Sequence, residues 1–152
     1  MDKMTFEAYL ARHGSLVYKN VGVSMLPLLR QGRDTFTVRA VPPGTDCNKW
    51  DVVLYKRDPH TYVLHRIVKV HENSYDILGD NCLAVERDVP KARVIGVMTD
   101  FTRKNKPCSV KSKGYSAYVR LWVKPYPIRI GIRRGLLFFK RVARKLLPFS
   151  EK

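Results

Sequence analysis

Tyr62-Val63-Leu64-His65-Arg66-Ile67-Val68-Lys69-Val70 is the stretch on which the fold turns. Its β-branched and apolar residues, interrupted by His65, Arg66 and Lys69, read as a strand. Before it, Asp51 to Lys56 (DVVLYK) reads as another strand, with Asp58-Pro59 as the turn between them. After it, Ser74 to Leu78 (SYDIL) is a strand, Gly79-Asp80-Asn81 a turn signal, and Arg93 to Met98 (RVIGVM) the last strand. Upstream, Thr35 to Ala40 (TFTVRA) alternates as a strand should, and Ser15 to Lys19 (SLVYK) leads into a segment rich in leucine. Strands recur about every ten residues with no helical pattern between them, which predicts a mainly β core of barrel or sandwich type. Residues 4–13 are the exception. Thr5 can N-cap a short helix there, and Gly14 can stop it.

At 152 residues the chain is long enough for one domain with a real core. Its three cysteines, Cys47, Cys82 and Cys108, are odd in number and lack metal-ligand spacing, which suits reduced thiols in a cytosolic setting. No run of about 18 apolar residues is present, and the N-terminus has no signal-peptide pattern.

The net charge of +16 is unevenly placed. Residues 101–152 hold 15 Lys/Arg and one acid, Glu151, whereas residues 1–100 hold 14 Lys/Arg against 12 acids. Two regions follow: a core over 1–100 and a basic extension over 101–152. Residues 101–127 read as turn-rich. Residues 128–147 read as an amphipathic helix ended by Pro148. Ile132, Leu136, Phe139, Val142, Ala143, Leu146 and Leu147 share one side, opposite Arg133, Arg134, Lys140, Arg141, Arg144 and Lys145. That helix either packs its apolar face on the core or lies on an anionic membrane surface.

The leucine-rich segment is Gly22-Val23-Ser24-Met25-Leu26-Pro27-Leu28-Leu29. Pro27 fixes its own φ and restricts Leu26, and Gly22 permits a positive φ or a close backbone approach. Ser24 thus sits on a constrained, non-helical segment among residues that can bury it. A serine hydroxyl needs a neighbouring base to become a nucleophile. His65 can be that base, since imidazole accepts a proton at neutral pH and can return it to a leaving amine. Asp80, Glu86 and Asp88 can each orient the imidazole, and the sequence does not choose among them.

Four segments together resemble the type I signal peptidases. Ser24-Met25-Leu26-Pro27 is similar to their Ser-Met-x-Pro box, and Asp51-Val52-Val53 to the strand before their base. The run His65-Arg66-Ile67-Val68-Lys69-Val70-His71-Glu72 resembles the His-Arg box of the archaeal and endoplasmic-reticulum branch. Gly79-Asp80-Asn81 matches the Gly-Asp-Asn box, and Gly96 fits the closing strand. The likeness covers roughly residues 20–98. It implies a β catalytic core shared with self-cleaving SOS-type repressors, with no metal and no cofactor. It implies Ser24 as nucleophile and His65 as base. It divides the third role between Asp80 and Glu86, the latter six residues beyond the Gly-Asp-Asn aspartate. The oxyanion would be held by backbone donors at Ser24 and its neighbours. Gly22 stands where bacterial members carry a serine, so that position offers only its backbone.

The expected function is a serine endopeptidase of Ser-His type acting on a specific peptide or precursor. The alternative is a non-catalytic module that binds peptides or a membrane surface through a degenerate peptidase core. Signal peptidases carry an N-terminal transmembrane anchor; here the residues before the serine box read as one short helix, and residues 101–152 match no family box. The expected place is therefore the cytoplasm, peripheral at the inner membrane face, with nucleic-acid binding by the tail as the weaker reading.

Overall fold

The computed structural model describes residues 4–59 and 61–146. Helix α1 (Phe6–His13) starts at Thr5, whose hydroxyl accepts the Ala8 N–H, and ends at Gly14, which takes the left-handed conformation its φ of 73° requires. The strands are β1 (Ser15–Lys19), β2 (Thr35–Ala40), β3 (Val52–Asp58), β4 (Thr61–Val70), β5 (Ser74–Leu78), β6 (Glu86–Pro90), β7 (Val94–Arg103) and β8 (Lys106–Ser109). The described residues form one sheet of order β1-β2-β7-β3-β4-β5-β6, with β8 added to β7, and every neighbouring pair is antiparallel. The chain is thus mainly β, with a short N-terminal helix and a C-terminal helix.

Two strands lie where the sequence pattern predicted loops. β6 presents Val89 alone to the core, so its pairing with β5 rests on backbone bonds rather than an apolar face. β8 contains Pro107 and forms a hairpin with β7 through Lys104 and Asn105, both at positive φ. Strand β7 itself runs on to Arg103, so the sheet takes in the start of the basic extension. Beyond it come α2 (Lys113–Tyr118), a π-helical turn (Val119–Val123) and α3 (Tyr126–Leu146). Leu147 and Pro148 lie outside the described residues. Among the described residues, no helix is long and apolar enough to cross a membrane.

Strand β3 is buried on both faces and separates two apolar clusters. Val52 and Leu54 join the first, with Met25, Leu28, Leu29 and Phe36. Val53 and Tyr55 join the second, with Ile67, Tyr75 and Ile77. The first cluster matters for the site, because Met25 and Leu29 fix the serine segment from within while Ser24 stays half-buried at its edge.

Candidate active site

The serine segment is a run of turns. Leu26 N–H donates to Val23 C=O and Leu29 N–H to Met25 C=O, and the Leu26-Pro27 bond is cis. Gly22 has a φ of 84°, which a side chain would disfavour. Asn81, from the Gly-Asp-Asn turn, holds this segment at two points. Its N–H donates to Ser24 C=O at 2.8 Å, and its Nδ2 donates to Val23 C=O at 3.2 Å. Arg133 of α3 in turn donates to Asn81, to its C=O at 3.1 Å and to its Oδ1 at 2.9 Å. The basic extension is therefore wired to the serine segment through one asparagine.

His65 and Arg66 are consecutive on β4, so their side chains take opposite faces of the sheet. The register then gives each its own acid. Ile67, in phase with His65, pairs with Ile77, and Ile77 pairs with Glu86. Cross-strand partners share a face, so Glu86 lies on the face of His65. Arg66 pairs instead with Leu78, two residues before Asp80.

The side chains follow this division. Asp80 binds Arg66 in bidentate fashion, at 2.8 Å to Nε and 2.7 Å to Nη2, and accepts from the Tyr118 hydroxyl at 2.8 Å. Arg66 is fully buried and also donates to Trp50 C=O and the Tyr115 hydroxyl, both at 2.8 Å. Burial works to lower the Arg66 pKa, but the Asp80 carboxylate outweighs it and holds the guanidinium charged.

Glu86 has one oxygen 3.4 Å from Nδ1 of His65. That nitrogen is buried and has no formed hydrogen bond. The separation is long for such a bond. Glu86 is itself held by Arg57, which donates through Nη2 and Nε, and by the Tyr55 hydroxyl at 2.8 Å. Burial raises the Glu86 pKa, yet the Arg57 and Tyr55 bonds outweigh it, so the carboxyl ends below its ordinary value. His65 is shifted down from 6.5, chiefly because burial penalises the imidazolium; the Glu86 charge opposes this only in part. At neutral pH the pair is thus a neutral imidazole facing a carboxylate.

Gly79 brings the imidazole and the serine segment together. A methyl group on Gly79 would stand 2.8 Å from His65 Nε2, 2.9 Å from Ser24 C=O and 2.6 Å from Cys82 Sγ. The other ring nitrogen of His65 and the Ser24 main chain therefore converge on a space that only a glycine leaves open. Ser24, His65 and Glu86 line one cleft of about 790 Å³, with apolar walls that include Phe6, Tyr18, Leu54 and Tyr62.

Of the residues read from the sequence, the structure brings together Ser24, His65 and Glu86, and places Asp80 on Arg66. Asp88 accepts from Ser74 Oγ and donates its N–H to Asp76, in a group with His71 and Asp76 whose ligand-type atoms lie within 4.8 Å. Gly22 flanks the cleft without lining it; Asn20 and Val21 do line it. The sequence carried no signal for Arg57 or Tyr55 as holders of Glu86. Asn81 stood in the quoted turn without a role.

The chain matches no protein-family model, and no curated protein is similar to it.

Proposed function

We propose that the chain is a serine endopeptidase of signal peptidase-like type, its sheet being the β catalytic core of that group, and that it cleaves a specific peptide or precursor. The observation that carries this reading is the buried, neutral His65 with Nδ1 facing Glu86 and Nε2 at the Ser24 segment. Ser24 Oγ attacks the scissile carbonyl while His65 Nε2 takes its proton. Nδ1–H then points at Glu86, whose negative charge stabilises the imidazolium. The developing oxyanion is met by backbone N–H groups of the turn around Ser24. Collapse of the tetrahedral intermediate breaks the C–N bond, and the leaving amine takes the proton from Nε2. Water, deprotonated by the same nitrogen, then hydrolyses the acyl-enzyme and restores Ser24.

Peptides bind as extended chains along the cleft, whose aromatic and leucine walls favour apolar side chains beside the scissile bond. The test is mass spectrometry of a pool of peptides incubated with the full chain and with Ser24→Ala. New termini are expected with the parent chain and not with the alanine variant. Equal products from both, or none from the parent across the pool, overturn the reading.

A further inference from the structure

Helix α3 is mounted with its polarity reversed. It packs on the core through Ile130, 8% exposed, and Tyr126, and is tied there by the two arginines that flank Ile130 on the helix surface. Arg133 donates to Asn81, and Arg134 donates to Leu83 C=O at 2.7 Å. The apolar stripe lies on the other side. Ile128, Ile132, Leu136 and Phe139 recur at helical spacing and are 68%, 60%, 56% and 69% exposed. Leu137 and Phe138, off the stripe, are exposed as well. A helix of a globular protein ordinarily turns such a stripe to the core. Here the side that carries Tyr126, Ile130, Arg133 and Arg134 meets the core, so the stripe has no partner within the described residues.

The charge decides what covers it. Between Ile128 and Leu147 the chain has seven Lys/Arg and no acid. A second copy would bring two chains of +16 face to face, which disfavours self-association through this surface. A nucleic acid would engage the cations but leaves Ile132, Leu136 and Phe139 unexplained. An anionic bilayer satisfies both halves: the stripe enters the acyl boundary while the basic flanks meet the headgroups. We propose that α3 is an interfacial helix that docks the protein on an anionic membrane surface, its stripe from Ile128 to Phe139 inserted. Through Arg133 and Asn81 the docked helix is fastened to the Ser24 segment, so the cleft is held at a fixed relation to the bilayer. The docking does not depend on the peptidase reading, and its test reads binding alone.

The experiment is co-sedimentation of the full chain with vesicles of phosphatidylcholine alone and of phosphatidylcholine mixed with phosphatidylglycerol, at low and high salt. The double variant Leu136→Gln/Phe139→Gln is run beside it; both side chains are exposed, so the fold is expected to keep its denaturation midpoint. The parent is expected to sediment with the anionic vesicles and progressively less as salt rises. The double variant is expected to partition about tenfold or more weakly. A Phe139→Trp form is expected to shift its emission to the blue on the anionic vesicles. The proposal is overturned if the parent stays in the supernatant with anionic vesicles at low salt. It is equally overturned if the double variant sediments as well as the parent, since the tail would then be a general polyanion binder, nucleic acid included.

Discussion

The Arg66–Asp80 pair allows a quantitative test of how the site's acids are divided. Arg66 has no exposed surface and Asp80 is 3% exposed, so neither charge is relieved by water. Asp80→Ala removes both carboxylate bonds to Arg66 and leaves the guanidinium buried on two neutral acceptors, Trp50 C=O and the Tyr115 hydroxyl. Breaking one side of such a pair costs about 3–5 kcal/mol. The Tyr118 hydroxyl also loses its acceptor, for about 1 kcal/mol more. For a chain of this size that corresponds to a fall of about 10 °C or more in the melting midpoint. Removing both charges, as in Arg66→Met/Asp80→Leu, leaves no uncompensated ion and is expected to cost less than Asp80→Ala alone. Denaturant titration followed by Trp50 and Trp122 fluorescence measures Asp80→Ala, the singles Arg66→Met and Asp80→Leu, and the double variant. If Asp80→Ala keeps the parent's midpoint, or if the double variant costs the sum of the singles, the assignment of Asp80 to Arg66 is wrong.

Two further outcomes follow from the geometry around His65. Its folded pKa lies below the ordinary 6.5, so the unfolded chain binds that proton first and stability is lost as pH falls below 6.5 through the folded value. Glu86, held below its ordinary 4.5, adds a second loss at lower pH. Proton NMR of the imidazole is expected to show the lowered pKa, and a larger lowering in Glu86→Gln, because the charge that favours the imidazolium is gone. A His65 titration that does not move in that variant would break the Glu86 link. Gly79→Ala is the second outcome. The new methyl meets Ser24 C=O, His65 Nε2 and Cys82 Sγ inside 3.0 Å, an overpacking worth about 1–3 kcal/mol. Displacing the imidazole against the serine segment is expected to cost about a hundredfold in cleavage rate. An alanine variant with the parent's midpoint and unmoved His65 resonances would contradict the packing described.

Much of the fold was legible because period and punctuation agreed. Thr5 and Gly14 bound α1 where their capping chemistry requires it, and β2 alternates as its sequence does. The strands that escaped detection are those held by neighbours rather than by their own side chains. Glu86-Arg87-Asp88-Val89-Pro90 has no apolar period, and Lys106-Pro107-Cys108-Ser109 carries a proline, yet β5 and β7 offer each a backbone partner. The helical stretch after Ser112 was equally hidden. Ser112 caps α2 by accepting the Tyr115 N–H, and Tyr115, Tyr118 and Val123 reach the core at helical spacing, a pattern that Gly114 and the surrounding basic residues mask in sequence.

The candidate site divides along the same line. Ser24 and His65 were legible because each sits in a segment whose constraints are local: a proline-bound turn, and a polar break in an apolar strand. The acid was not, because its assignment depends on strand phase across three strands. His65 and Arg66 are neighbours in sequence and opposites in space, so the two adjacent side chains draw two different carboxylates. Glu86 comes to His65 by way of Ile67 and Ile77, and that path exists only once β6 is recognised as a strand. Read as a loop, Glu86 and Asp88 look interchangeable. In the sheet they part: Glu86 bonds Arg57 and Tyr55 beside the imidazole, whereas Asp88, at a positive φ, turns to Ser74 and Asp76. The reversed mounting of α3 was hidden for a related reason. A helical wheel gives the two faces of residues 128–147 but not which one meets the core. In the structure the side with Tyr126, Ile130, Arg133 and Arg134 turns inward, the arginines reaching the carbonyls of Asn81 and Leu83.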